Sequence, residues 1–349
     1  MKKLLLQTIR RELTSRRPLW IMRQAGRYLP EYRNLRKKHS FKELSQSADL
    51  ATEVTMMPIK RFPLDAAIIF ADIMSPLPAI GVEFDFNPGP VVEDPIRDQA
   101  GVDALLQADP ENIAPEVMTA LKQVRKELPN ETTLLGFCGA PWTLAAYLVE
   151  GRGLKDFPTL RAFAAAQPEA LDNLLGRLSS LMVHYLINQA RAGAEAVQIF
   201  DSWAGVLSLN DWERLIRPHL HALLEAVGNA GIPRILFLQN APHLVDAYAS
   251  LPAEVLAVDW RVDLPELQNR YQNRLAVQGN IDPATLLGGA KPTQAAARDL
   301  LTRVDPVGHI VNLGHGILPG TPLASVEALV EAVHNETELS QYQPALTGA

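Results

Sequence analysis

Cysteine is almost absent from the chain: Cys138 is the only one in 349 residues. One thiol excludes an internal disulfide and any multi-thiolate zinc or iron–sulfur site built within a single chain. It suits a reducing compartment, and a cytoplasmic location is expected. Long apolar runs are missing too, since none approaches the ~20 residues of a membrane helix. Met1–Gln7 carries a signal-like charge, but its apolar core stops after three leucines, so it reads as the first turn of a surface helix. There is no excess of positive charge. With 33 Lys and Arg against 39 Asp and Glu the net charge is −6, which argues against a general nucleic-acid binder. Internal repeats and low-complexity linkers are also lacking, so a domain boundary has nowhere to fall.

What is present is an ordinary globular composition, 47% hydrophobic and 21% charged. The basic charge is unevenly placed. Up to residue 38 there are twelve Lys and Arg residues against only Glu12 and Glu31. An acidic protein with one strongly basic segment suits an anionic ligand held at one place. Within that segment a short apolar run, Leu19–Met22, turns abruptly polar at Arg23-Gln24-Ala25-Gly26-Arg27. Guanidinium groups present rigid forks of donors matched to carboxylates or phosphates, and Gly26 would let the backbone approach a ligand closely.

Short apolar runs recur along the chain at Pro18–Met22, Ala66–Phe70, Thr132–Phe137, Ala196–Phe200, Arg234–Leu238, Val255–Val258, Leu275–Val277 and Ile310–Leu313. Between them lie amphipathic stretches with helical spacing, among them Ser47–Arg61, Leu171–Ala192, Leu209–Ala230 and Ala284–Val304. Eight strands alternating with helices predict a (β/α)8 barrel formed as a single domain over residues 1–335. A doubly wound open sheet is the competing arrangement. Pro88-Gly89-Pro90 and Asp94-Pro95 predict an irregular loop after the second run, and residues 336–349 read as a flexible tail.

In such a barrel the active site lies at the carboxyl ends of the strands. The residues there are Arg23, then Asp72, then Phe137-Cys138-Gly139 leading to Tyr147, then Asp201-Ser202 after Phe200, and finally Gly314-His315-Gly316. Here the chain resembles the uroporphyrinogen decarboxylase family. The resemblance is carried by Met22–Glu31, Arg61–Ile73, Gly136–Leu144 with Tyr147 and Glu150-Gly151, Gly279–Pro283 and Asn312–Gly316, in that order. It implies a barrel, a homodimer, no metal and no organic cofactor. The implied activity removes carbon dioxide from the four acetate side chains of uroporphyrinogen III, giving coproporphyrinogen III.

The same resemblance implies the roles of residues. Asp72 would accept hydrogen bonds from the pyrrole N–H groups and stabilise a cationic ring in the transition state, where otherwise it would be a helix cap. Arg23, Gln24, Ala25, Gly26 and Arg27 would bind carboxylates, with Arg23 also a candidate proton donor. Tyr147 and Ser202 would hydrogen-bond the substrate. His315, as a cation, would bind a carboxylate or move a proton, and Phe137 and Phe200 would wall the cavity. Two other readings remain open. One is a zinc-dependent methyltransferase of a related barrel group, which needs a thiolate ligand beside a histidine. The other is a non-catalytic tetrapyrrole-binding protein, which would need the arginines but not Asp72.

Overall fold

The computed structural model describes residues 3–87, 89–271 and 274–336. Its strands are β1 (Ala66–Ile68), β2 (Phe84–Phe86), β3 (Pro90–Val92), β4 (Thr133–Gly139), β5 (Ala196–Asp201), β6 (Arg234–Leu238), β7 (Val255–Val258), β8 (Ala276–Ile281) and β9 (His309–Leu313). Seven of them form one parallel sheet in the order β1-β4-β5-β6-β7-β8-β9. β4 and β9 are buried along their whole length, as strands covered on both faces should be. Helices such as Ala48–Arg61, Pro115–Glu127, Pro168–Arg191 and Leu323–His334 pack outside.

The eighth place in the barrel is filled differently from the expectation. Pro18–Met22 is not a ladder-forming strand, and its one bridge is the parallel pair Leu19 with Val311 of β9. On its other side the Asp65 amide donates to the Leu19 carbonyl at 2.9 Å. Side chains do much of the remaining work. The Asp65 carboxylate accepts the Leu19 amide at 2.8 Å and a two-pronged contact from Arg16 at 2.7 and 2.8 Å. Asn312 Oδ1 accepts the Met22 amide at 2.9 Å. Gln24 accepts the Ile21 amide through Oε1 and donates through Nε2 to the Ala66 carbonyl, both at 3.1 Å. Pro18 has no amide hydrogen to give to a ladder, and these polar side chains close the seam instead.

Two helices expected as continuous are broken. Leu209–Ala230 divides into Leu209–Leu215 and Arg217–Asn229, because Pro218 fits only the first turn of a helix. Ala284–Val304 divides into a 3-10 turn, Pro283–Gly288, and a helix, Ala290–Arg303, with Gly289 at φ 96° between them. The loop predicted after the second run contains an antiparallel hairpin, β2 with β3, paired Phe84 to Val92 and Phe86 to Pro90. Glu336, read from sequence as the start of the tail, is ion-paired with the buried Arg17. Residues 337–349 lie outside the described residues. Among the described residues no helix is long and apolar enough to cross a membrane.

The barrel interior is layered. Trp20 Nε1 donates to Gln278 Oε1 at 2.9 Å, and Gln278 Nε2 donates to Gln198 Oε1 at 3.0 Å. β5 and β8 are not neighbours in the sheet, so this chain of bonds crosses the interior. Phe200, two residues beyond Gln198, shares its face of β5 and carries the next layer up. Its ring lies 5.7 Å from both Phe137 and Phe237. This aromatic layer is the floor of the mouth at the carboxyl ends.

Candidate active site

The seam delivers Arg23 to the mouth. With the amides of Ile21 and Met22 both held by side chains, the chain turns sharply, and Arg23 takes a left-handed φ of 61°. That conformation costs a non-glycine residue about 1–2 kcal/mol. Gly316 provides the space for its side chain, since a Cβ there would overlap Arg23 Cδ. Burial lowers the basicity of Arg23, Tyr147 and Asp72 restore part of it, and Arg27 opposes them. Arg23 nevertheless remains exposed at the surface.

Beyond β1 the chain passes Phe70, whose amide is held by Thr55 Oγ1 at 2.9 Å, and turns at Asp72. Asp72 Oδ1 accepts the Met74 amide at 2.9 Å, the Asp72 amide donates to Ser75 Oγ at 3.2 Å, and the Ser75 amide donates back to the Asp72 carbonyl at 3.1 Å. The aspartate thus caps its own turn, and among the described residues only Oδ1 is engaged. Burial raises its pKa from the ordinary 3.8 to about 6, against the opposing pulls of the Met74 amide and Arg23. This is a carboxylate kept short of solvent and close to a fixed cation.

β4 runs into the helix Pro141–Glu150, which carries Tyr147. Burial raises the Tyr147 phenol; the neighbouring Trp203 indole lowers it, Asp72 raises it and Arg23 lowers it. Asp72, Arg23 and Tyr147 therefore lie within electrostatic reach of one another. The Tyr147 ring meets Trp203 edge-on at 6.5 Å. Ser202, just before Trp203, is half-buried, and its amide donates to Thr143 Oγ1 at 3.0 Å. It caps no helix; the 3-10 turn that follows, Ala204–Val206, has Trp203 at its N-cap and no side-chain cap.

His315 lies parallel to Phe237, 6.0 Å between ring centres and 6° between planes. β6 and the end of β9 lie apart in the sheet, so this stack spans the mouth. Burial first, then Arg23, lower His315 from 6.5 to about 4. In the free protein it is therefore neutral near pH 7 and not the expected cation. Among the described residues its buried Nδ1 has no hydrogen-bond partner.

Phe137 is nearly buried and Phe200 half-buried beside it. Ala25 and Gly26 are half-buried and Arg27 is exposed at the rim. Gln24 departs from the expectation: its side chain is fully buried, with both ends spent on the seam, so it shapes the loop and does not face the mouth. Phe237 and Trp203 were not singled out from the sequence. A signal existed for Phe237, since Phe137, Phe200 and Phe237 each stand near the carboxyl end of successive strands. Cys138 is fully buried and burial pushes its thiol up. Among the described residues no group of three or more His, Cys, Asp or Glu could hold a metal ion.

The model of the family described as uroporphyrinogen decarboxylase (URO-D) matches residues 1–336. The chain belongs to the uroporphyrinogen decarboxylase family. Among relatives with that name, the protein from Chloroflexus aurantiacus is 43% identical over 342 residues, covering 96% of each chain. That from Syntrophotalea carbinolica is 42% identical over 325 residues, 93% of this chain and 95% of the relative. That from Trichodesmium erythraeum is 40% identical over 328 residues, 93% of each. Among solved structures, a methyltransferase from Methanosarcina mazei superposes with a TM-score of 0.78 over 95% of this chain and 97% of its own. At 20% identity that likeness concerns the barrel alone.

Proposed function

We propose that this chain decarboxylates the four acetate side chains of uroporphyrinogen III to methyl groups, giving coproporphyrinogen III, and that it does so within one barrel domain spanning residues 1–335. Loss of carbon dioxide leaves an electron pair that needs a sink. Protonating a pyrrole carbon turns the ring into an iminium-like cation, which takes that pair as the carbon–carbon bond breaks. A second proton then converts the exocyclic methylene to methyl, and the ring carbon releases the first proton as the pyrrole becomes aromatic again, so one proton is consumed for each carbon dioxide lost. The substrate's own ring does what an organic cofactor would otherwise do.

The observation that carries this reading is Asp72, a single carboxylate pinned by its own turn and standing with Arg23 above an aromatic floor. A carboxylate fixed before the ring becomes cationic stabilises that cation without having to reorganise. Arg23 and Arg27 are the carboxylate-binding groups, and the half-buried, neutral His315 is a hydrogen-bonding group beside them. Tyr147 and Ser202 supply hydroxyls, Phe137 and Phe200 an apolar wall, and Ala25 and Gly26 a backbone that a carboxylate can approach. The protein is read as a cytoplasmic homodimer, which sedimentation at micromolar concentration tests. Anaerobic incubation with uroporphyrinogen III, followed by chromatography of the oxidised products, tests the activity. Stepwise seven- to four-carboxylate products are expected, and unchanged substrate overturns the proposal.

A further inference from the structure

Directly behind Ser202 lies a buried acid that the chemistry above does not use. Asp201 is completely inaccessible, as is Thr143. The Thr143 hydroxyl donates to Asp201 Oδ1 at 2.8 Å and accepts the Ser202 amide at 3.0 Å. On the far side of the carboxylate, the Tyr248 hydroxyl donates to Oδ2 at 2.5 Å. We infer that Thr143 and Asp201 are positioning residues for the decarboxylation, holding Ser202 and Tyr147 in register with each other. The inference rests on the decarboxylase reading of the site.

A threonine hydroxyl has one proton. Given to Asp201, it leaves the oxygen lone pair facing the Ser202 amide, so the carboxylate dictates which way the hydroxyl points. Tyr248 in turn keeps the carboxylate from rotating. The residue before Thr143 repeats the tie, because Trp142 Nε1 donates to the Trp203 carbonyl at 3.2 Å. The segment 202–203 therefore hangs from the first turn of the helix Pro141–Glu150 by two consecutive side chains. Tyr147 sits one turn further along that helix and touches Trp203. Two groups that face the substrate are thus mounted on one rigid corner, fixed from behind by an acid that never reaches the mouth.

Packing alone does not ask for this arrangement. Burying a carboxylate is unfavourable unless its partners are well placed, and an apolar replacement of similar volume is often as stable. What apolar residues cannot do is orient the Ser202 amide. Misplacing a substrate-facing group by about 1 Å can cost ~100-fold in rate.

The test compares Thr143→Val, which keeps the shape and loses the hydroxyl, with Thr143→Ser, which keeps the hydroxyl. Both are assayed anaerobically with uroporphyrinogen III, alone and in a Ser202→Ala background. Thr143→Val should lower kcat/KM by roughly 10- to 100-fold, and Thr143→Ser should restore it to within about threefold of wild type. In the Ser202→Ala background Thr143→Val should cost no more than about threefold further, since coupled groups are not additive. Wild-type kinetics in Thr143→Val, no recovery in Thr143→Ser, or fully multiplicative losses would each overturn the inference. Should Thr143→Val fail to fold, Tyr248→Phe loosens the same carboxylate from the other side. It should lower kcat/KM in the same direction by a smaller factor, and wild-type kinetics in the folded variant would equally overturn it. An inactive wild type removes the decarboxylase reading itself; an active wild type with unaffected variants removes only the positioning role.

Discussion

Replacing Asp72 with asparagine removes a charge while keeping shape and most hydrogen-bonding capacity, so stability and turnover should move in opposite directions. In the folded protein the Asp72 carboxyl titrates near 6 instead of its ordinary 3.8. The native state therefore holds this proton up to a higher pH than the unfolded chain does. The stability it contributes is complete below pH ~4 and is lost as pH rises through about 6. A rise of that size corresponds to about 3 kcal/mol. Asparagine has no such titration. The stability of Asp72→Asn relative to wild type should therefore increase by about 3 kcal/mol between pH 4 and pH 7. Asp201, also raised to about 6 by burial, titrates in both proteins and cancels in the difference. Urea unfolding of substrate-free protein at the two pH values measures this, with linear extrapolation to water. Uroporphyrinogen turnover measured on the same preparations should fall by orders of magnitude in the variant. A stability difference that stays flat from pH 4 to 7 would refute the buried, proton-retaining environment of Asp72, and near-wild-type turnover would refute its part in the chemistry.

Gly316→Ala places a methyl group against the Arg23 side chain, which is flexible enough to move aside. KM should rise about tenfold while the melting temperature changes by only a few degrees, and combining it with Arg23→Ala should add little. Gln24→Ala leaves the Ile21 amide and the Ala66 carbonyl without their partner in a buried seam. Equilibrium unfolding should show a loss of about 2–4 kcal/mol, and a loss below about 0.5 kcal/mol would contradict the closure described. Cys138, inaccessible and with its thiol acidity suppressed, should not react with an aromatic disulfide reagent in native protein and should release one equivalent on unfolding.

The candidate residues of the mouth are legible in the sequence as short polar interruptions of apolar runs. Arg23, Asp72, Tyr147, Ser202 and His315 stand out in this way, and the barrel brings the strand ends that carry them to one side. What a residue string does not carry is side-chain direction. Gln24 sits between two arginines and looks like part of an anion site, yet its amide turns inward to fasten the seam. His315 looks like a cation until its burial beside Arg23 is known, since a pKa depends on neighbours far along the chain. Phe237 is an apolar residue in an apolar run, and only its stacking on His315 makes it a wall of the mouth. Thr143 and Asp201 matter through bonds to each other across 58 residues, a separation that no local motif records. The first run reads as a ladder strand but keeps a single bridge, because the amides of Leu19, Ile21 and Met22 go to the side chains of Asp65, Gln24 and Asn312.

That seam has a consequence for how the protein is born. The Met22 amide is held by Asn312, 290 residues further along the chain, and Leu19 bridges to Val311 on the last strand. During synthesis at ~5–20 residues per second, the segment bearing Arg23 emerges roughly 15–60 s before the strand that must receive it. Through that interval Leu19, Trp20, Ile21 and Met22, all buried in the finished protein, have only the β1 side of the seam to dock against. The segment that aims Arg23 is fastened on one side by β1, made early, and on the other by β9, so a chain lacking β9 would leave half of that seam open.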